Sequence, residues 1–342
     1  MALVFSSCEK EGKEGEDFVY NPTPYNLQIP QGFPQMIIPA DNPLTVEGVE
    51  LGRRLFFDKI LSKNFTQSCA SCHNNEFGFT DHGNRFSTGV EGIVGFRNSM
   101  PIVNLGFNRK FFWDARAVSL EEQALEPVPN PIEMNLAWHQ AMQRLNANST
   151  YKELFKKAFN TDYIDSTHVA KALAQFMRIM ISSDSKFDKR MRFEVNFTAQ
   201  EANGFVIFNT EKGDCFHCHN IDGGRLFTDN LPRNNGLDAI FSDLGLGNVT
   251  GSPNDNGKFL TPSLRNVALT APYMHDGRFQ TLEEVVEHYN TGGQPSATID
   301  PLMKYTGEGL NLTQQEKADL VAFLKTLTDS TFINNPKFKS PF

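Results

Sequence analysis

The sequence predicts a mainly α-helical protein built from two similar halves. Three observations carry that prediction. The pattern Cys-x-x-Cys-His occurs twice, as Cys69-Ala70-Ser71-Cys72-His73 and Cys215-Phe216-His217-Cys218-His219, and takes four of the five cysteines in 342 residues. Apolar residues recur at helical spacing just before each copy and again towards the end of each half. Sustained period-two alternation, the mark of half-buried strands, is missing from the sequence.

Taken in order, residues 1–40 read as a tether and wrapping segment. Cys8 follows the apolar and small residues Leu3-Val4-Phe5-Ser6-Ser7, the pattern at the end of a lipoprotein signal. It is a candidate lipid-anchor site, the alternative being a plain thiol in a loose terminus. Residues 9–17 are charged, as a tether would be. Pro22, Pro24, Pro30, Pro34, Pro39 and Pro43 then deny the chain regular helix and predict a segment lying over a domain surface. Residues 41–185 form the expected first domain, whose helical pattern starts near Thr45 with Leu51 and Leu55 one turn apart. Its closing helix carries the stripe Val169, Leu173, Phe176 and Met180. The boundary is expected in the charged residues 182–196.

The second domain, expected over residues 190–330, repeats this plan. Thr198 and Glu201 form a capping-box signature ahead of Ala202, Phe205 and Phe208, just before the second motif. Residues 220–262, rich in Gly, Asn and Asp, read as a long surface loop beside that motif. Thr313 and Glu316 should cap a last helix bearing Leu320, Phe323, Leu324 and Leu327, and residues 331–342 read as a tail.

Cys-x-x-Cys-His points to covalent haem c because two thiols one turn apart can add across the two vinyl groups, with the adjacent imidazole turned to the iron. Two haem c are therefore expected, with His73 and His219 as iron ligands. The rival, one zinc site made from both Cys-x-x-Cys hooks, suffers because the hooks lie far apart and each is followed at once by His. The expected fold is two cytochrome c-like domains. Haem c is attached outside the bacterial cytoplasmic membrane, which predicts a location on the periplasmic side of the envelope. The formal charge of −8 and the scattered basic residues argue against nucleic acid as a partner, and no 20-residue apolar run could span a membrane.

Beyond these motifs the sequence resembles the bacterial dihaem cytochrome c peroxidases and the related MauG enzymes, over about residues 42–327. The resemblance is carried by Arg97-Asn98, Phe112-Trp113-Asp114-Ala115-Arg116-Ala117, Glu121-Glu122-Gln123, Asn130-Pro131-Ile132-Glu133-Met134, Leu264-Arg265-Asn266, and the run from Ala271-Pro272-Tyr273-Met274 to His275-Asp276-Gly277. It implies that the first haem meets hydrogen peroxide and that the second accepts electrons from a small cytochrome c or cupredoxin. Two other readings stay open: MauG-like oxidation of a partner protein, and a non-enzymatic dihaem electron carrier. A homodimer is the candidate assembly.

The resemblance also implies roles for residues. Trp113 matches the tryptophan bridging the haems, and its charged surroundings are unlike an ordinary core position in a chain with two tryptophans against thirty phenylalanines. Glu133 matches the acid–base glutamate, which peroxide cleavage needs once no histidine is at hand, and Gln123 matches a distal amide. The position matching the displaceable distal histidine of many relatives is near Val90, which cannot ligate, so the first haem is expected open without prior reduction. Asn98, Thr270 and Pro272 match a calcium site of amide and carbonyl oxygens. Tyr289 falls where the peroxidases use methionine and MauG uses tyrosine as the second iron's distal ligand, with Met274 as the alternative. Tyrosine at that position favours the protein-oxidation reading. His275 is expected near the second haem.

Overall fold

The computed structural model describes residues 18–221 and 224–342, so Cys8 lies outside the described residues. In the first half the Thr45 hydroxyl accepts from the Gly48 amide and caps α1 (Val46–Phe57). The one-turn α2 (Cys69–Cys72) holds the first motif, followed by α3 (Leu120–Leu125), α4 (Trp138–Ala147), α5 (Ser149–Phe159) and α6 (Ser166–Arg178). Val169, Leu173 and Phe176 are buried on α6, as their spacing predicts, while Met180, also buried, lies two residues beyond the end of the helix. In the second half come α7 (Lys186–Met191), α8 (Ala199–Phe208), α9 (Leu246–Thr250), α10 (Leu282–Asn290), α11 (Gln314–Lys325) and α12 (Ser330–Ile333). Capping boxes built from Thr198 with Glu201 and from Thr313 with Glu316 open α8 and α11. The one sheet among the described residues pairs β1 (Pro232–Arg233) with β2 (Phe259–Leu260), antiparallel, Pro232 opposite Leu260.

The halves share their construction. α1 crosses α6, and α8 crosses α11. Each crossing has a glycine at its closest point: a Cβ on Gly52 would strike the Ala172 carbonyl and press on Phe176, and one on Gly204 would strike the Asp319 carbonyl and press on Phe323. Mid-helix glycine costs about 0.5–1 kcal/mol against alanine, which the close packing of the two backbones offsets. A second shared device follows each motif. Asn104 and Asn266 take left-handed φ of 56° and 61° and each opens a 3-10 turn. Phe111 then bridges Ala117, and at the same offset Tyr273 bridges Phe279. Inside these turns Phe112 and Met274 (φ 65° and 73°) and Ala115 and Gly277 (59° and 61°) correspond. Trp113-Asp114-Ala115-Arg116 and His275-Asp276-Gly277-Arg278 therefore occupy equivalent places.

Each half has its own apolar core, one around Leu51, Phe56, Phe155 and Phe176, the other around Phe187, Phe208, Phe227 and Phe323. Two features cross between them. Phe332 and Phe338, both within the expected tail of residues 331–342, are buried in the first core, so that stretch packs on the first half and is not a loose tail. Phe33 of the proline-rich segment stacks near Phe107 of the first half, at 5.6 Å, and under the Arg265 guanidinium of the second, at 4.8 Å. Residues 220–262 differ from the surface loop that their composition predicts: Phe227, Asn234 and Leu260 are at most 2% exposed. Asn234 Nδ2 donates to the Ser296 and Thr298 hydroxyls, so this part of the segment folds inward, while Leu231 and Ile240 stay exposed.

Candidate functional site

Both motif histidines are held the same way. His73 Nδ1 lies 2.9 Å from the Phe79 carbonyl and His219 Nδ1 lies 2.9 Å from the Phe227 carbonyl. Phe79 and Phe227 are both left-handed (φ 62° and 56°) and fully buried, so the ring anchors the carbonyl that orients the imidazole. Engaging Nδ1 directs Nε2 to a metal, the arrangement that fixes ligating histidines. Burial lowers both imidazole pKa values, keeping the rings neutral as iron ligands must be. It also pushes the thiols up, to about 12 for Cys69, Cys215 and Cys218 and about 11 for Cys72, so none is a free reactive thiolate. These residues fit a covalently held haem.

The second motif opens into a largely apolar cavity lined by Cys215, Cys218 and His219 together with Met274, Tyr289, Asn235, His275 and Trp113. Tyr289 Oη accepts from Asn235 Nδ2 at 3.2 Å, and the same nitrogen lies 3.5 Å from Met274 Sδ. Burial pushes the phenol up to about 12 against the pull of that hydrogen bond. Both candidate distal ligands thus share one cavity with His219.

Trp113 belongs to a first-half turn yet reaches this second-half cavity. Its Nε1 donates to the Asn98 carbonyl at 2.8 Å, and its own carbonyl accepts from Leu260 N at 2.7 Å. Its ring meets that of His275, its counterpart in the repeat, edge-on at 6.5 Å; His275 in turn stacks on Phe259 at 3.6 Å. Trp138 instead donates to the Leu125 carbonyl and packs on the first core. Asn98, Thr270 and Pro272 line the same cavity. Asn98 Nδ2 donates to the Asn84 and Arg85 carbonyls, which turns Oδ1 the other way as an available acceptor.

At the first motif, Glu133 sits half-buried, near enough for its charge to bear on both Cys69 and Cys72. It lies in a turn, not a helix: Asn130 Oδ1 accepts from Ile132 N, while Asn130 Nδ2 donates to Glu133 Oε1 at 2.6 Å. Burial raises its pKa, and the Asn130 bond and the Arg116 charge only partly oppose this. Val90 donates its N–H to the Glu133 carbonyl at 2.8 Å, and a Cβ on Gly89 would strike the Ile132 carbonyl, so this loop is packed against the Glu133 turn. Lys63–Glu91 at 2.6 Å and Gln67 Nε2 on the Thr88 carbonyl at 2.8 Å hold its other side. Gln123 stands on α3, one turn before Glu126, whose charge also bears on Glu133. α3 is fixed through Glu121, which takes two 2.8 Å bonds from Arg178 and one from Asn42.

A chain of ion pairs that sequence patterns do not announce joins the two sites: Glu126–Arg116 at 2.7 Å, Arg116–Asp114 at 2.9 Å, Asp114–Arg97 at 2.6 Å and Arg97–Asp243 at 2.7 Å. Its members are scattered from residue 97 to residue 243, so only the fold assembles it. Glu211, Asp214 and His217 also cluster beside the second motif, but the Lys304 ammonium already occupies their centre.

Comparison with known proteins agrees with this geometry. Residues 46–196 match the di-haem cytochrome c peroxidase family. Methylamine utilization protein MauG of Methylorubrum extorquens is 38% identical over 300 residues, covering 84% of this chain and 80% of that protein. Cytochrome c551 peroxidase of Nitrosomonas europaea is 36% identical over 309 residues, 89% of this chain and 85% of its own length. The crystal structure of a MauG-like protein associated with microbial copper homeostasis superposes with a TM-score of 0.85 at 38% identity, covering 93% of this chain and 99% of that one. The diheme peroxidase BthA of Burkholderia thailandensis shares the fold, with a TM-score of 0.73 at 22% identity over 90% of this chain and 97% of that one. With two histidine–thiol sites built on one repeated scaffold and these relatives along most of its length, the chain belongs to the di-haem cytochrome c peroxidase and MauG family and carries two haem c.

Proposed function

We propose that the protein is a periplasmic peroxidase that reduces hydrogen peroxide with two electrons and two protons to two waters, the electrons coming singly from a small cytochrome c or cupredoxin. His73 and His219 would hold the two haems, which when bound would supply redox iron for O–O cleavage at the first site and a one-electron store at the second. Glu133 is the group that takes the proton from the bound oxygen of peroxide and returns it to the leaving oxygen. The single observation that carries this role is the placement of a half-buried carboxyl beside the first attachment site, held by the 2.6 Å bond from Asn130, in surroundings whose burial raises its pKa. Gln123 orients peroxide, and Trp113 is the bridge between the sites, since its ring lines the second cavity from a first-half turn. The packing of the Val90 loop against Glu133 supports a first site open without prior reduction. Asn98 Oδ1 with the Thr270 and Pro272 carbonyls would hold a calcium ion, a hard cation suited to an all-oxygen set.

One observation favours the second reading, oxidation of a partner protein. Tyr289 lines the cavity that contains His219, and a hard phenolate ligand would lower that haem's potential relative to thioether.

The test of the first reading is Glu133→Gln, which keeps shape and hydrogen bonding and removes the shuttled proton. Peroxide turnover should fall by about a hundredfold or more, with both haem spectra intact. Because the base must be ionised and burial raises its pKa, wild-type turnover should decline on the acid side at a pH above the ordinary carboxylate range. Near-normal turnover in Glu133→Gln, or a six-coordinate first haem in the oxidised protein, overturns the mechanism.

A further inference from the structure

We infer that Asn235 selects the second haem's distal ligand, its amide securing Tyr289 and withholding Met274. The inference rests on the reading of Tyr289 as that ligand. Asn235 Nδ2 lies 3.2 Å from Tyr289 Oη and 3.5 Å from Met274 Sδ. A primary amide has two hydrogens on this nitrogen, so one side chain can donate to both groups at once. The two acceptors respond differently. A phenolate oxygen keeps lone pairs for a metal while accepting a hydrogen bond, and the amide dipole offsets part of its charge in an apolar cavity. A thioether sulfur is a weak acceptor, and a contact to Nδ2 ties it to the cavity wall.

The amide is held in register from both sides. The Asn235 carbonyl lies 3.1 Å from Nε2 of His288, the residue before Tyr289 on α10, so the helix that carries the phenol also pins the amide's backbone. On the next peptide the Gly236 carbonyl accepts from Gln294 N at 2.6 Å. Met274, by contrast, sits at φ 73° in its turn, a backbone conformation uncommon for a non-glycine residue, and its sulfur is held at 3.5 Å by the same amide. Asn235 touches neither iron nor substrate in this scheme; it is a positioning residue, and its effect is read in ligand identity and potential.

The experiment uses the oxidised holoprotein with both haems attached. Asn235→Leu keeps the volume and removes both donors. The tyrosinate-to-iron charge-transfer band should weaken, a thioether-to-iron band should appear, and the second haem's midpoint potential should rise. A shift of about tenfold in the ratio of the two ligand forms is expected for one lost hydrogen bond. Asn235→Asp, which keeps the side-chain shape but loses the donors, should move the same way, so a poorly folding leucine variant still leaves a reading. Adding Met274→Leu to either should restore the tyrosinate band. A second-haem spectrum and potential unchanged in both Asn235 variants overturns the inference. A wild-type protein that already shows the thioether band, unaltered by Tyr289→Phe, overturns instead the assignment of Tyr289 on which it rests.

Discussion

The first and second halves orient their motif histidines with one device, the carbonyl of a left-handed, fully buried phenylalanine, and cross their long helices at one kind of glycine contact. They part company two residues into the equivalent turns. Where the first half places Phe112 and Trp113, the second places Met274 and His275. Phe112 offers no donor to a metal, and the Arg116 guanidinium lies 3.5 Å over its ring. Met274 offers a sulfur, with Tyr289 beside it. The difference teaches that a duplicated scaffold can be specialised at its turns while the attachment and orientation machinery stays fixed.

The largest effect that would break this comparison is removal of one haem at a time. Cys69→Ala with Cys72→Ala should abolish peroxide turnover and leave one acid-acetone-resistant haem with the second site's spectrum. Cys215→Ala with Cys218→Ala should leave the peroxide-reactive haem and stop steady-state turnover for want of electrons. If the second pair instead removes the peroxide-reactive spectrum, the division of labour is reversed.

Next in size is a stability difference. Arg265 donates two bonds of 2.7 and 2.8 Å to Asp188, both side chains being at most 3% exposed, and the equivalent residue in the first half is Val103. Arg265→Leu leaves a buried carboxylate unpaired and should cost about 3–5 kcal/mol in denaturant unfolding, whereas Val103→Leu, which adds one methylene to a filled core, should cost about 1–3 kcal/mol. Burial alone would raise the Asp188 carboxyl, but its bonds to Arg265 hold it below its ordinary value. Its contribution is therefore present above the unfolded pKa and lost as pH falls through the lowered one. The deficit of Arg265→Leu should accordingly shrink in acid, and a deficit independent of pH would count against the pair as its source.

The smallest effect sharpens the comparison at the paired turns. Trp113→Phe keeps the ring but loses the indole and its bond to Asn98; turnover should drop about tenfold, equivalent to ~1.4 kcal/mol on the barrier, with both haem spectra unchanged. His275→Phe, whose ring would keep its stack on Phe259, should cost less. Equal losses would remove the argument for a special indole.

How much of this could be read beforehand depends on where the information lies. The caps at Thr198 and Thr313 were legible because a hydroxyl three residues before a free amide is a local pattern, whereas at Thr45 the sequence showed only where the helix begins. The stripe Val169, Leu173 and Phe176 was legible because apolar spacing is also local, but the helix stops at Arg178, two residues short of Met180. Asn235 was not: in a Gly- and Asn-rich stretch its composition points to solvent, and only partners near residues 288–298 turn that stretch inward. The carbonyls of Phe79 and Phe227 escape sequence patterns altogether, since every residue has a carbonyl and the fold decides which one meets an imidazole. Glu133 was found by resemblance, while the Asn130 turn that holds it became visible only in the structure.

The Phe79 ring, whose carbonyl orients His73, packs edge-on against Phe332 at 5.3 Å, and Asn75 Nδ2 donates to the Ile333 carbonyl. During synthesis the first attachment motif therefore emerges long before the residues that brace its histidine. Domains usually fold in the order in which they are made, but here the first domain waits on a contact more than 250 residues downstream, the kind of distant closure that slows folding. Whenever the chain folds from its N-terminus, the bracing of the His73 site is completed only by residues near the C-terminus.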